Sequence, residues 1–156
     1  MSKGQAALEY LLSYGWAILI VIIVGAALYS LGVFSPGTWT GKRTTGFAQF
    51  QVVDFKMDDG GNVTLILGNR VGKTVQLDSI NLTLKGGTCS KSIGTSFGPN
   101  VQKNWTLQCG GSDGTNWPDL TVKSSYTITA DLHYTDPDSG LTHIDSGNLF
   151  GAVEYP

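Results

Sequence analysis

Between Tyr10 and Phe34 the chain carries no charged residue. That stretch restricts the possible folds more than anything else in the sequence. The segment around it, residues 8–34, reads LEYLLSYGWAILIVIIVGAALYSLGVF. It is too long for a buried strand. About 25 helical residues rising about 1.5 Å each span roughly 38 Å, against about 30 Å of hydrocarbon in a bilayer. Inside lipid every backbone N–H and C=O needs an internal partner, so a helix is the simple spanning form. Pro36 and Gly37 then stop it. Its apolar residues run all round the helix axis, which requires cover on every side.

Beyond Thr38 polar and apolar residues mix in short blocks. Residues 37–46 (GTWTGKRTTG) read as a linker. The following stretch, 47–156, is long enough for one small core. Only 14% of residues are charged and Gly numbers 21, a balance that favours strands and turns. Period-2 alternation appears in Phe50–Val52 and Val53–Met57, with a change of phase between Val52 and Val53 that predicts a bulge. Asp58-Asp59-Gly60-Gly61 is a turn signal, and Val63–Leu67 is the return strand. Val75–Leu77, Ile80–Leu84, Trp105–Leu107, Tyr126–Tyr134 and Leu149–Val153 extend the series. The expected fold is α+β: a long apolar N-terminal helix followed by an all-β sandwich, with an immunoglobulin-like arrangement as one candidate.

Ten basic and 12 acidic residues give a net charge of −2. Without clustered Lys and Arg, nucleic acid is not an expected partner. Cys89 and Cys109 are the only cysteines. In a translocated domain such a pair predicts a disulfide, and two buried free thiols are the alternative. Asn62-Val63-Thr64, Asn81-Leu82-Thr83 and Asn104-Trp105-Thr106 each fit the N-glycosylation sequon. No phosphate loop, G-x-S-x-G or dinucleotide fingerprint is present. His133 and His143, with Asp131, Asp136 and Asp145 near them in sequence, read as structural rather than catalytic. The segments 58–62 and 136–140 hold oxygen ligands suited to Ca²⁺, but turn chemistry explains both. No enzyme activity, metal or cofactor is expected.

The start of the chain says more. A secretory signal peptide has a shorter apolar run, and a plain single-pass anchor needs no acidic residue at its edge. Here Glu9 stands at that edge. A carboxylate costs roughly 2.5–3.5 kcal/mol at the bilayer centre and less near the interface, and is a functional candidate by default. The bland account keeps Glu9 in the headgroup layer, favoured by the helix dipole. Ahead of it stands the short leader Met1-Ser2-Lys3-Gly4.

The stretch Lys3-Gly4-Gln5-Ala6-Ala7-Leu8-Glu9-Tyr10-Leu11-Leu12 resembles the class III signal peptide of archaeal type IV pilin-like proteins, and Tyr14–Leu19 resembles the opening of their helices. The resemblance covers about the first 35 residues. It implies a prepilin peptidase that cuts between Gly4 and Gln5, so that residues 1–4 are leader and 5–36 are the membrane and filament-core helix. It assigns Glu9 a contact with the N-terminus of an adjacent subunit, and makes Leu12 part of the same assembly motif. An assembly ATPase and a platform membrane protein are implied partners, with the chain itself as the partner in a helical homopolymer. Gly15, Ala17, Gly25, Ala26, Ala27 and Gly32 are small enough for helices to approach closely. The function expected from the resemblance is a structural pilin, inserted in the membrane as a precursor and then carried in a surface filament for adhesion. An archaellum-type subunit, a minor pilin and a membrane-anchored binding domain are the competing readings.

Overall fold

The computed structural model describes residues 3–31, 33 and 41–156. The chain divides into two compact units, Met1–Pro36 and Gly37–Pro156.

The first unit is one helix, α1 (Lys3–Ser30). No acidic residue stands in its first turn and no basic residue in its last, so capping electrostatics contribute nothing to it. Its composition permits it: Ala and Leu recur, no Pro interrupts it, and Gly4, Gly15 and Gly25 are its weakest helix formers. Ser13 returns its hydroxyl to the carbonyl of Glu9 at 3.0 Å, and Tyr10 lies against Tyr14 with ring centroids 5.1 Å apart. At the C-terminal end Leu31 N–H bonds Ala27 at 2.9 Å and Val33 N–H bonds Leu28 at 3.1 Å.

The second unit is two antiparallel sheets facing each other. Its strands are β1 (Arg43–Thr45), β2 (Phe50–Met57), β3 (Asn62–Asn69), β4 (Val75–Leu84), β5 (Gly87–Phe97), β6 (Gln102–Gln108), β7 (Gly114–Thr115), β8 (Ser125–Thr135) and β9 (Thr142–Ala152). Six form one sheet in the order β1-β9-β8-β4-β5-β7, and three form the other in the order β2-β3-β6. The fold is thus α+β, as the sequence predicts. Its strands partition six and three, not four and three as in a constant-type immunoglobulin domain.

Alternation places the core. Val63, Leu65 and Leu67 of β3 face Ile80, Leu82, Leu84, Ile128 and Leu132 of the larger sheet, all buried. Phe50 sits among aromatic neighbours, 5.8 Å from Phe97 and edge-on to Tyr134 at 5.1 Å. The expected bulge is present: the β2–β3 register shifts between Val52 and Asp54. A second shift, between Leu77 and Ser79, joins what read as two strands into the single β4.

Two readings need correction. The sequence predicts a linker across residues 37–46. Residues 37–40 lie outside the described residues, and Arg43–Thr45 are already strand, paired with Phe150, Leu149 and Asn148 of β9. Their polar sequence hides a sheet edge that needs no apolar side chain of its own. The stretch between Leu84 and Trp105, read without a strand, holds the 11-residue β5. Lys85 and Gly86 both take positive φ, 48° and 88°, which makes the tight two-residue hairpin turn whose twist suits antiparallel strands.

Candidate functional site

Along α1 the large side chains stand open. Leu8, Leu11, Leu12, Trp16, Ile20 and Val21 each expose more than half of their surface, from 56% to 69%. By length and composition the segment Gly4–Ser30 is able to cross a membrane. The apolar cover is continuous round the axis, but its relief is not. Leu8, Leu11, Leu12, Gly15, Trp16 and Leu19 ring a notch of about 360 Å³. Its floor is Gly15, where an added Cβ meets nothing within 4 Å. The spacing i, i+3, i+4, i+7 puts Leu8, Leu11, Leu12 and Gly15 on one face, and the missing side chain leaves a hole of the kind that receives a knob from a facing helix.

The residues singled out at the N-terminus are placed as follows. Gly4 and Gln5 lie within α1, so the Gly4–Gln5 bond is in its first turn. Glu9 is exposed and has no ion-pair partner among the described residues. It precedes Leu12 by three residues and Ser13 by four, next to those two on the helix surface, and is not among the residues that line the notch.

In the β domain Cys89 and Cys109 form a disulfide. Cys89 lies in β5 of the large sheet and Cys109 directly follows β6 of the small one. The bond therefore ties one sheet to the other. Two lysines cross the same seam: Lys91 Nζ donates to the Thr106 carbonyl at 2.7 Å and Lys103 Nζ to the Ser96 carbonyl at 3.1 Å. Asp113, in the loop after Cys109, accepts from the Gln108 N–H at 2.9 Å. That bond, with the Lys91 ammonium beside it, holds the Asp113 carboxyl below the usual range.

The three sequons differ in setting. Asn62 is half-buried, and its amide donates to both carboxylate oxygens of Asp58 at 3.2 and 2.9 Å. Asn81 is half-buried in β4, between β5 and β8; its oxygen accepts from Ser90 Oγ at 2.6 Å and its nitrogen meets His133 Nε2 at 3.1 Å. Asn104 is exposed on β6, and its side chain has no hydrogen-bond partner among the described residues.

His143 stacks on Tyr134 with centroids 5.3 Å apart. Asp58 spends its carboxylate on the Asn62 backbone and amide. Asp136 holds Lys73 and the N–H of Asp138; the Lys73 hydrogen bond draws its carboxyl below the ordinary range. Among the described residues no three His, Cys, Asp or Glu side chains gather as metal ligands would.

Sequence reasoning gave no structural task to Asp145. Its carboxylate is 5% exposed and accepts three backbone N–H groups, from Ala48 at 2.9 Å, Gln49 at 2.9 Å and Phe50 at 2.8 Å. The one signal available was phase: Asp145 stands four residues before Leu149 and so on the same face of the strand.

No protein family matches the chain, and no curated protein matches it significantly. A solution structure described as a late embryogenesis abundant (LEA) protein aligns over 94% of this chain and 90% of its own, with a TM-score of 0.35 and 14% identity. A likeness at that level carries no argument about fold or function.

Proposed function

We propose that this chain is the structural subunit of an archaeal type IV-like pilus, polymerising through α1 and displaying its β domain at the cell surface. The observation that carries the reading is the bare apolar circumference of α1. Such a surface in water would cost about 25 cal/mol for each Å² left uncovered. Lipid covers it in the precursor; in the fibre, copies of the same helix do so. The notch at Gly15 supports the second kind of cover, because small residues let helix backbones approach and a hole accepts a neighbour's side chain.

Glu9 gives the polymer its register. Buried among apolar helices, an unpaired carboxylate is expensive. The new N-terminal ammonium on Gln5, released by cleavage after Gly4, is the opposite charge that offsets it in the next subunit. A contact of this head-to-tail type does not close on itself and so generates a helical filament. The β domain, held together by the Cys89–Cys109 bond, suits an oxidising exterior and bears the N-linked sugar for which the sequons provide.

Electron microscopy of material sheared from cells tests the reading. The expected result is regular fibres whose mass spectrum begins at Gln5. Glu9→Ala is expected to enter the membrane at normal levels and to yield few or no fibres. Detergent-dispersed monomers as the sole surface form, or normal fibres from the Glu9 variant, would count against it.

A further inference from the structure

The three sequons are equivalent as sequence, yet the fold admits a sugar at one of them. We infer that Asn104 is the glycan acceptor of this domain and that Asn62 and Asn81 stay unmodified. The inference rests on the reading that places the β domain outside the membrane.

In N-glycosylation the side-chain nitrogen attacks the anomeric carbon of a lipid-phosphate-linked oligosaccharide. The carbon–nitrogen bond forms as the carbon–oxygen bond to phosphate breaks. The phosphate oxygen keeps that bond's electron pair, the lipid phosphate departs, and the amide gives up one proton. The product amide has a single N–H and a bulky substituent, so its nitrogen must face open solvent. Asn62 fails this condition. Its nitrogen is bonded to both oxygens of Asp58 in the β2–β3 turn, and Gly61 in that turn abuts Gly110, where even a methyl group would come within 2.8 Å of the backbone nitrogen. Asn81 fails it as well. It stands in an interior strand, flanked by Ser90 and Asp131 in register and bonded to Ser90 and His133. A sugar on that nitrogen would displace the His133 contact and leave the half-buried imidazole without its partner, in a strand flanked on both sides.

Asn104 meets the condition. β6 is the edge of the three-stranded sheet. Its core-facing positions are 103, 105 and 107, so Asn104 lies on the outer face. The residue opposite it is Ile66, half-buried, and beyond Ile66 is Asp54 of β2. The first sugar ring would thus lie over an apolar side chain that the sheet leaves partly uncovered. Asn62 and Asn104 sit on the same face, with their sequons meeting at the Thr64–Thr106 contact of 3.0 Å. Their different fates follow from the turn alone. A sugar at Asn104 leaves in place every side-chain hydrogen bond made by the described residues of the β domain, whereas one at Asn62 or Asn81 does not.

Full-length protein recovered from the producing cells, as wild type, Asn104→Gln, Asn62→Gln and Asn81→Gln, is examined by intact mass and glycopeptide mapping. One glycan mass is expected on the wild type and on the Asn62 and Asn81 variants, with complete loss in Asn104→Gln. Glycan retained in Asn104→Gln, or mapped to Asn62 or Asn81, overturns the assignment. Protease treatment of intact cells, run in parallel, reports domain exposure without reference to sugar. A domain that is digested yet bare at Asn104 defeats the assignment alone; a protected domain defeats the surface reading beneath it.

Discussion

At Asp145 one side chain joins β9 to the start of β2. Three successive N–H groups, those of Ala48, Gln49 and Phe50, converge on its two oxygens. Backbone donors at the entry to a strand have no ladder partner of their own; Ala48 and Gln49 are exposed, but Phe50 is buried and its N–H has no water to turn to. The carboxylate supplies what the ladder does not, and the donors in turn stabilise its charge away from solvent. Asp145→Ala removes acceptor and charge together and strands the donors. The expected cost is roughly 3 kcal/mol of folding stability, read as a lowered midpoint in chemical denaturation. Asp145→Asn keeps one acceptor oxygen and is expected to fall between. An unchanged midpoint for the alanine variant would mean that water reaches the three N–H groups. The same long-range character explains what sequence could not tell about the sequons. The amide of Asn81 is engaged by His133, 52 positions away, whereas the partner of Asn62 lies four positions away in a recognisable turn.

Among elements, the seam between β5 and β6 shows how this domain manages open sheet edges. Exposed edges invite pairing with other chains, and lysines are a common defence. Lys91 and Lys103 each cap a carbonyl across the gap, while Cys89–Cys109 fastens one end. The cysteines are 20 residues apart, for which loop-closure entropy predicts roughly 3 kcal/mol. The double variant Cys89→Ala, Cys109→Ala is expected to lose about that much stability, with faster amide exchange along β6 than along β3. Equal exchange on both strands would show that the bond does not hold the seam. Strands were legible where core-facing positions are apolar, as in β3 with Val63, Leu65 and Leu67, or β8 with Tyr126, Ile128, Ala130 and Leu132. In β5 the alternating positions past Cys89 are Lys91, Ile93 and Thr95, only half-buried under the seam, so the period fades. The first half of β9 was hidden for a related reason: its buried positions are Asp145 and Gly147. The helix was legible in kind, because an uncharged run of that length has few other solutions; its bounds were not, for α1 starts at Lys3, inside the expected leader, and ends at Ser30, ahead of the Pro36-Gly37 stop.

For the molecule as a whole, the apolar surface is divided by segment and not by face. The β domain buries Phe50, Met57, Leu65, Leu107, Ile128 and Leu149 almost completely, among others, in a core built from its own strands. The helix, by contrast, buries none of its membrane-length window. A chain built this way places two separate demands on its surroundings: water for one unit and continuous apolar cover for the other. Residues 41–156 produced alone are therefore expected to be soluble and monomeric, with cooperative thermal unfolding and β-type circular dichroism. The full chain is expected to sediment with membranes or fibres unless detergent is present. Sedimentation velocity and melting curves on the two forms decide the matter. If residues 41–156 aggregate or melt without cooperativity, α1 contributes to the fold of the β domain. A helix committed in that way would not be free to exchange lipid for copies of itself, so the same measurement bears on whether polymerisation is physically open to this chain.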